Sequence, residues 1–522
     1  MSTVATEISN IKGQRVRFVQ TSPEKGHSNF LFLRNFLDQR RINQKYIPSL
    51  IRIFSLARKL HFKGMLVDQI PCEESEILEE ENKVLTQKCI EYASSEVYKF
   101  SFFGKDSEDD INTDSFLGYA VLKIDRDSHG QPLCNHIFES VIAPPRLSEQ
   151  NNFLHCRRKY RVSNTLGDGF VIEGSLYAQQ NIKTFVCAHV ALRAALACIL
   201  PEGDISYQRL AQLAGKRDGL EPADIDRVFT GLGLHSRKIE FEPCPHNTKS
   251  QSIPCPEYMR EMYGFIESGS PVLLGFELAD GRRHIVPVLG HTFNEDSWVP
   301  PSNRGYFKSQ NLRFFSSEQW LSSNLIHDDN FGPYYCMPRQ FLTKANFRLL
   351  YGIGTQKAAL HSINAELTAI DFFHQSVSLL AGFSIGDPWM DLFQVFADQK
   401  RLVLRAVYIS KEEYLEHLQK ISADDSIDGS SAVGAICKVL PTHFWMVEAS
   451  MQELFSASRK KFGEVIICPD GEDVTFNPCS FICMRLPSCV IIRDTYDCSK
   501  HHLQQCNIKG HTPIYSSTPC RH

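Results

Sequence analysis

The 522-residue chain lacks three features that would each indicate a cellular role. It has no uninterrupted apolar run of membrane-spanning length, since even the alanine-rich stretch after Cys187 contains Arg193 and stops at Pro201. Its first residues lack a basic leader followed by an apolar core, so no secretory signal is predicted. The formal net charge of −4 provides no overall positive field, and no basic-aromatic stripe is visible. We therefore expect no membrane insertion and no nucleic-acid partner.

Glycine-rich phosphate loops, fixed-period repeats and paired Cys-x-x-Cys knuckles are also missing, so no cofactor is expected. The 17 cysteines are an odd number and cannot all pair within one molecule, which favours reduced thiols and a cytoplasmic location. A structural zinc site stays open as an alternative. Its potential ligands are Cys244, His246 and Cys255, or, in the tail, Cys479, Cys483, Cys489, Cys498, His501, His502, Cys506 and His511.

The length of the chain predicts several domains rather than one core. Apolar residues with helical spacing over 28–62 predict a mainly helical amino-terminal segment, 1–115. From Leu117 onward the pattern changes to short β-type runs, which places a central domain at 116–350. Residues 351–522 alternate helical and strand patterns and predict a mixed α/β domain of unknown role. The predicted helices there are 360–381, 411–421 and 450–462, and the strands are 402–409, 442–448, 464–468 and 489–493.

The central part contains residues that could together form a catalytic site with a cysteine nucleophile. Cys187 opens an apolar helix, where the unpaired N–H groups of the first turn would favour thiolate over thiol. His284 begins a later apolar stretch and is a candidate base, while Asp328 or Asp329 could orient its ring. Gln180 precedes the cysteine by seven residues. The order glutamine, cysteine, histidine and aspartate along the chain is the strongest functional signal in the sequence.

Residues 175–340 resemble the papain-like cysteine peptidases, and in particular the branch related to bacteriocin leader peptidases. Three phrases carry the resemblance together with Gln180 and the cysteine helix: Ile205-Ser-Tyr-Gln-Arg-Leu-Ala-Gln-Leu-Ala-Gly215, Gly233-Leu-His-Ser-Arg-Lys238 and Glu267-Ser-Gly-Ser-Pro-Val-Leu-Leu274. The resemblance implies an α+β fold in which a helical lobe carries the thiol and an antiparallel β lobe carries the histidine. Two departures are visible, because Ala188-His189 replaces the usual Gly-Pro and the glutamine stands seven residues upstream rather than six.

The resemblance also implies a role for each residue of the site. Cys187 would attack a carbonyl carbon, His284 would transfer the proton, and Gln180 would stabilise the oxyanion. Asp329 is preferred to Asp328 as the orienting acid, because Asp-Asn-Phe-Gly lies where the family places Asn-Ser-Trp-Gly. Only one of two adjacent strand residues should face the histidine. Three residues are weaker alternatives: Gln179 as oxyanion donor, His291 as base and His189, which helical pitch turns away from Cys187.

We therefore predict a cysteine peptidase with a Cys-His-Asp triad that cleaves a peptide or isopeptide bond through a thioester. Its partners would be a peptide or protein substrate, with the flanking domains available for selecting it. Two alternatives stay open. A transglutaminase-like acyl transferase would discharge the same acyl-enzyme to an amine. An inactive recognition module would keep the fold without the chemistry.

Overall fold

The computed structural model describes residues 6–9, 14–20, 28–42, 47–144, 152–181, 187–216, 219–240, 256–277, 281–293, 306–307, 313–339, 341, 346–380, 388–399, 401–425, 436, 438–458, 460–461, 463–469, 478–487, 489–494, 497, 500–505 and 515–516. Helices and strands are mixed in this part of the chain, and most strand pairs are antiparallel, so the mixed α and β composition is confirmed. None of the helices in these ranges is long and apolar enough to cross a bilayer.

The amino-terminal unit is built on a five-stranded antiparallel sheet with the order β2-β3-β4-β5-β6. Its strands and helices are β1 (Thr6–Ser9), β2 (Gln14–Gln20), β3 (Gly64–Ile70), β4 (Tyr92–Phe103), β5 (Phe116–Asp127), β6 (Pro132–Ile142), α1 (Ser28–Gln39), α2 (Pro48–Lys59) and α3 (Glu76–Lys88). The prediction of a mainly helical segment ending at residue 115 is therefore wrong. β4 and β5 are paired along most of their length, so residue 115 lies inside a sheet rather than between domains.

Helices α1 and α2 cover one face of this sheet. Phe54 of α2 packs edge-on against Phe100 and Phe102 of β4, with ring centroids 5.7 and 5.3 Å apart. The alternation of a β-strand places both phenylalanines on that face, while Phe103 points to a separate apolar cluster on the other side. α2 is thereby fixed against the sheet, and its amino-terminal half contacts the central unit.

The central unit combines a group of helices with a second antiparallel sheet. Its elements are β7 (Asn152–Leu154), β8 (Arg158–Asn164), β9 (Gly167–Gly174), α4 (Cys187–Ala197), α5 (Tyr207–Ala214), α6 (Pro222–Gly231), β10 (His235–Glu240), α7 (Pro256–Glu267), β11 (Val272–Glu277), β12 (Arg283–Phe293), β13 (Tyr306–Phe307), β14 (Arg313–Ser316), β15 (Leu321–Asp328), β16 (Gly332–Pro338) and β17 (Asn346–Gly354). The sheet order is β10-β17-β11-β12-β15-β16, and β7 adds to β12.

The two faces of this second sheet are covered differently. On β11, Leu273 packs with the apolar residues of α4, α5 and α6, whereas its neighbours Val272 and Leu274 pack with α7. The helices form where local signals predict them: Ser206 caps α5, Gly215 ends it with φ +70°, and Pro222 stands in the first turn of α6. The helices α4, α5 and α6 thus cover one face of the antiparallel sheet and α7 covers the other.

The carboxy-terminal unit combines helices with a largely antiparallel sheet. Its elements are α8 (Ser362–Leu380), α9 (Pro388–Asp398), β18 (Val403–Ser410), α10 (Lys411–Asp425), β19 (His443–Ser450), α11 (Gln452–Ser458), β20 (Lys460–Lys461), β21 (Gly463–Ile467), β22 (Phe481–Leu486), β23 (Cys489–Arg493), β24 (His501–Gln505) and β25 (Tyr515–Ser516). The sheet order is β13-β14-β18-β19-β21-β22-β23-β24. The boundary predicted at 350 falls within β17, and β14 of the central unit pairs with β18.

Candidate active site

Cys187 is the first residue of α4, and the face it shares with later residues of that helix lines a small cavity. The lining includes Cys187, Val190, Ala191 and Ala194, which are spaced by three and four residues and so lie on one side of the helix. The opposite wall comes from β12 and from the end of β15. Cys187 is half-buried, so its thiol sits at the cavity rather than within the core.

His284 stands near the start of β12, directly opposite Phe276 of β11. The two rings meet edge to face with centroids 5.4 Å apart, which restricts the orientation of the imidazole. The ring is buried and forms a hydrogen bond with the side chain of Cys187. The packing of α4 against β12 thus brings together two residues that are almost a hundred positions apart in the chain.

Both aspartates lie beside the histidine. Nε2 of His284 is 3.4 Å from Oδ2 of Asp328 and 3.4 Å from Oδ1 of Asp329. The expectation that only one of them would face the ring is wrong, because β15 ends at Asp328 and the chain then turns. Their surroundings differ. Oδ1 of Asp328 accepts hydrogen bonds from the backbone N–H groups of Asn330 and Phe331, at 2.8 and 3.2 Å.

These contacts shift the pKa of all three groups. Burial alone would lower the pKa of His284, but hydrogen bonds to Asp328 and Cys187 and the charges of both carboxylates raise it to about 10. For Asp328, burial is outweighed by the histidine and the two backbone donors, so its pKa is lowered. For Asp329, burial dominates, with the charge of Asp328 adding to it, and the pKa rises to about 6. Near neutral pH, the site therefore favours an imidazolium beside an ionised Asp328.

The two aspartates belong to a turn, residues 328–331, that we call the acidic turn. The amino-terminal unit holds this turn in place through the strand that follows it. Arg52 of α2 donates hydrogen bonds to the carbonyl oxygens of Pro333 and Tyr334, the first at 2.6 Å. Gly332 has φ +107°, and a Cβ there would lie 3.0 Å from Cδ of Arg52 and 3.3 Å from Cα of Ser49. α2 therefore packs so closely on the turn that a larger residue at 332 would displace it.

His327 is a site residue that the sequence analysis missed. It lines the cavity with Cys187 and Asp329, and its Nδ1 donates a hydrogen bond to the carbonyl of Leu176 at 3.0 Å. Burial lowers the pKa of His327 to about 3, so this ring is neutral. No local signal indicates it, because β15 ends at Asp328 and strand alternation does not extend to Asp329.

Gln180 is half-buried in a segment that is tied down on both sides. Gln179 exchanges hydrogen bonds with the backbone of Ile137, through its own N–H at 2.8 Å and its side-chain oxygen at 3.0 Å. Nδ2 of Asn181 donates to Oε1 of Glu81 in α3, at 2.5 Å. Residues 182–186, which connect this segment to Cys187, lie outside the described residues. The side chain of Gln179 is engaged by the backbone, and Gln180 is not among the residues that line the Cys187 cavity.

The two alternative histidines are placed elsewhere. His189 is fully buried within α4. His291 lies on the same strand as His284 but is 2.5 Å from Oε1 of Glu267, in a separate buried cluster. Neither is among the residues that line the Cys187 cavity.

Three groups of side chains in the described part of the chain could hold a metal ion: Asp125 with Cys134 and His136, His155 with Glu267 and His291, and His284 with Asp328 and Asp329. None includes a residue of the predicted tail site. Cys244, His246, Cys255, Cys498, Cys506 and His511 lie outside the described residues. The candidate active site itself thus offers one imidazole and two carboxylates that a divalent cation could use.

The raised pKa of His284 predicts a pH-dependent contribution to stability. A histidine with a folded pKa near 10 stabilises the fold fully below its unfolded pKa of about 6.5, and loses that contribution as the pH rises towards 10. The stability difference between the wild type and His284→Asn should therefore shrink between pH 6.5 and pH 10 in thermal unfolding. His327→Asn is the matched control, because its lowered pKa makes its difference constant over that range. A constant difference for His284→Asn would contradict the prediction.

Comparisons of the chain with protein-family models, with curated proteins and with solved structures found no match. The papain-like resemblance therefore stays a hypothesis from the sequence.

Proposed function

We propose that the protein is a cysteine-dependent hydrolase with a papain-like domain, which cleaves a peptide or isopeptide bond through a thioester acyl-enzyme. The observation that carries the proposal is the meeting of Cys187, His284 and two aspartates from separate elements. Cys187 and Asp329 of this group line one cavity. A thiol, an imidazole in contact with it and a carboxylate on the far side of the ring are the parts that nucleophilic catalysis by cysteine needs.

The roles follow from which atoms are engaged. Nε2 of His284 faces the carboxylates, so Nδ1 serves the thiol and takes its proton. The resulting imidazolium stabilises the thiolate, and the thiolate attacks the carbonyl carbon of the substrate. The same proton then passes to the leaving amine. Attack of water on the thioester, with His284 as base, releases the acid and restores the thiol.

We assign the orientation of the imidazole to Asp328, although the sequence favoured Asp329. Two backbone N–H groups hold one oxygen of Asp328 and leave the other for the ring, and its lowered pKa keeps it ionised. Asp329 lines the cavity, where its carboxylate can contact a substrate N–H group. The two adjacent acids would then have different tasks because their surroundings differ.

The substrate is proposed to present an apolar side chain next to the histidine. Phe341 is 42% exposed and packs against Phe276, the ring that contacts His284. Phe331, 54% exposed, ends the acidic turn and stacks on Tyr335. These two exposed rings offer apolar surface that the proposed substrate could contact beside the histidine and the aspartates. This supports a peptide or protein substrate, and the contact of α2 with the acidic turn gives the amino-terminal unit a part in the site.

Acyl transfer to an amine is the second enzymatic reading, since it uses the same acyl-enzyme and differs only in the acceptor. The hypothesis of an inactive recognition module has less support, because burying ionised groups costs free energy and such groups with shifted pKa values cluster at functional sites. A cytoplasmic location would suit the reduced thiol that the proposal requires of Cys187.

The first test measures alkylation of Cys187 by iodoacetamide near pH 6, with mass spectrometry resolving each cysteine. Cys336 is free and exposed, so it reports an ordinary thiol in the same tube. Cys187 should react faster than Cys336, because the imidazolium stabilises its thiolate, and His284→Ala should remove that advantage. Equal rates at the two cysteines in both proteins would refute the thiolate–imidazolium pair.

A second test separates Gln180 from activation of the thiol. Acylation by p-nitrophenyl acetate develops an oxyanion, whereas alkylation by iodoacetamide does not. Gln180→Ala should slow acylation of Cys187 by roughly 10²–10³ and leave alkylation unchanged. Slowing of both reactions equally would show that the substitution disturbs the thiol, and no slowing of acylation would remove Gln180 from the oxyanion site.

A further inference from the structure

A second cluster of reactive side chains is buried away from the Cys187 cavity. Nε2 of His155 lies 3.1 Å from Nε2 of His291, which lies 2.5 Å from Oε1 of Glu267. The remaining separation, between Nε2 of His155 and Oε1 of Glu267, is 3.6 Å. All three side chains are at most 2% exposed. Two ring nitrogens and one carboxylate oxygen therefore point at a common centre.

The convergence is built by three separate elements. His155 follows β7, which pairs with β12 so that Phe153 is opposite His291. Gly290 makes this close pairing possible, because a Cβ there would lie 2.1 Å from the carbonyl oxygen of Phe153. Glu267 arrives as the last residue of α7. Tertiary packing, rather than local sequence, brings the three ligand atoms together.

The separations suit a small metal ion. An ion bound tetrahedrally at about 2.0–2.1 Å from each ligand atom separates those atoms by about 3.3 Å. Two of the three observed distances, 3.1 and 3.6 Å, lie close to that value, and the third, 2.5 Å, is a hydrogen-bond distance that would lengthen when the ion replaces the shared proton. Histidine binds metals through the lone pair of the neutral ring, and burial favours the neutral form.

The second oxygen of Glu267 is held separately. Nε of Arg405, on β18, donates a hydrogen bond to Oε2 of Glu267 at 2.7 Å. Such an outer contact fixes the orientation of a ligating carboxylate and leaves its other oxygen for the ion. Arg405 also pairs with Glu448 at 2.9 Å, and Lys461 continues the chain of alternating charges from Glu448 to Glu464.

We propose that His155, Glu267 and His291 bind one Zn²⁺ ion, which fastens the central sheet to the carboxy-terminal sheet through Glu267 and Arg405. The donor set of two imidazoles and one carboxylate favours zinc over magnesium or calcium. The site contains no cysteine and does not depend on the proposed function of Cys187. It was not expected from the sequence, where no metal was predicted outside the cysteine-containing alternatives.

The charge balance around the site makes zinc binding depend on all three ligands. Glu267, Glu448 and Glu464 are already matched by Arg405, Lys461 and Arg485, so Zn²⁺ adds two positive charges to a balanced network. Such an ion is retained only while coordination offsets that cost. Removing one ligand should therefore release the metal rather than weaken its binding slightly.

The test measures metals in the full-length chain, made without a histidine tag and purified without chelators. Inductively coupled plasma mass spectrometry should find equimolar zinc in the wild type and at least tenfold less in His155→Ala and Glu267→Gln. His417→Ala is the matched control. It removes another buried histidine near Lys461 and Glu464 and should keep the zinc. Zinc-free wild-type protein that takes up none on dialysis against zinc would overturn the proposal.

A spectroscopic measurement keeps the proposal testable if a variant fails to fold. Zinc K-edge X-ray absorption of the wild type should show scattering from two imidazoles, with nitrogen and oxygen neighbours and no sulfur. Sulfur neighbours would place the metal on cysteines instead and would contradict the assignment. The same result would favour the cysteine-containing alternative raised by the sequence.

Discussion

The packing of α4 against β12 is the contact on which the candidate site depends. It places the thiol at the start of the helix beside the imidazole at the start of the strand. Val190, Ala191 and Ala194 have small side chains on this face of the helix, so α4 can approach β12 closely. Bulkier residues on that face would separate Cys187 from His284, so the alanines are as much a part of the site as the reactive groups. The chemistry proposed for Cys187 therefore rests on an apolar interface.

Buried charge organises the rest of the molecule around that interface. Two carboxylates raise the pKa of the His284 imidazole. Arg52 of the amino-terminal unit holds the turn that bears them. Farther along β12, His291 belongs to the cluster that leads through Glu267 and Arg405 into the carboxy-terminal sheet. One strand thus contributes to both groups of charges. Burying ion pairs of this kind costs free energy, and they are retained where every buried charge has a partner of opposite sign.

Several elements could be predicted because their signals are local. The helix at Cys187, the cap of α5 at Ser206 and strand β23 at Cys489–Arg493 all follow from spacing and caps in the sequence. β3 and β4 were missed, and with them the sheet that makes the amino-terminal unit. β4 pairs with β5, which the predicted boundary assigned to another domain. The sheet therefore could not be predicted from residues 1–115 alone, because one of its strands lies beyond them. The identities of Cys187, His284, Asp328 and Asp329 as candidates came from the sequence. The shared contact of both aspartates, the neutral His327 and the support from Arg52 depend on tertiary packing, which spacing does not encode.

The most direct test of the central claim is the ionisation of the Cys187 thiol. Thiolate absorbance near 240 nm at pH 7, compared between the wild type and Cys187→Ser, isolates this one cysteine by difference. A thiolate paired with the imidazolium predicts an excess of absorbance in the wild type that His284→Ala removes. No excess in the wild type would mean that His284 does not activate the thiol, and the proposed hydrolase would lose its nucleophile.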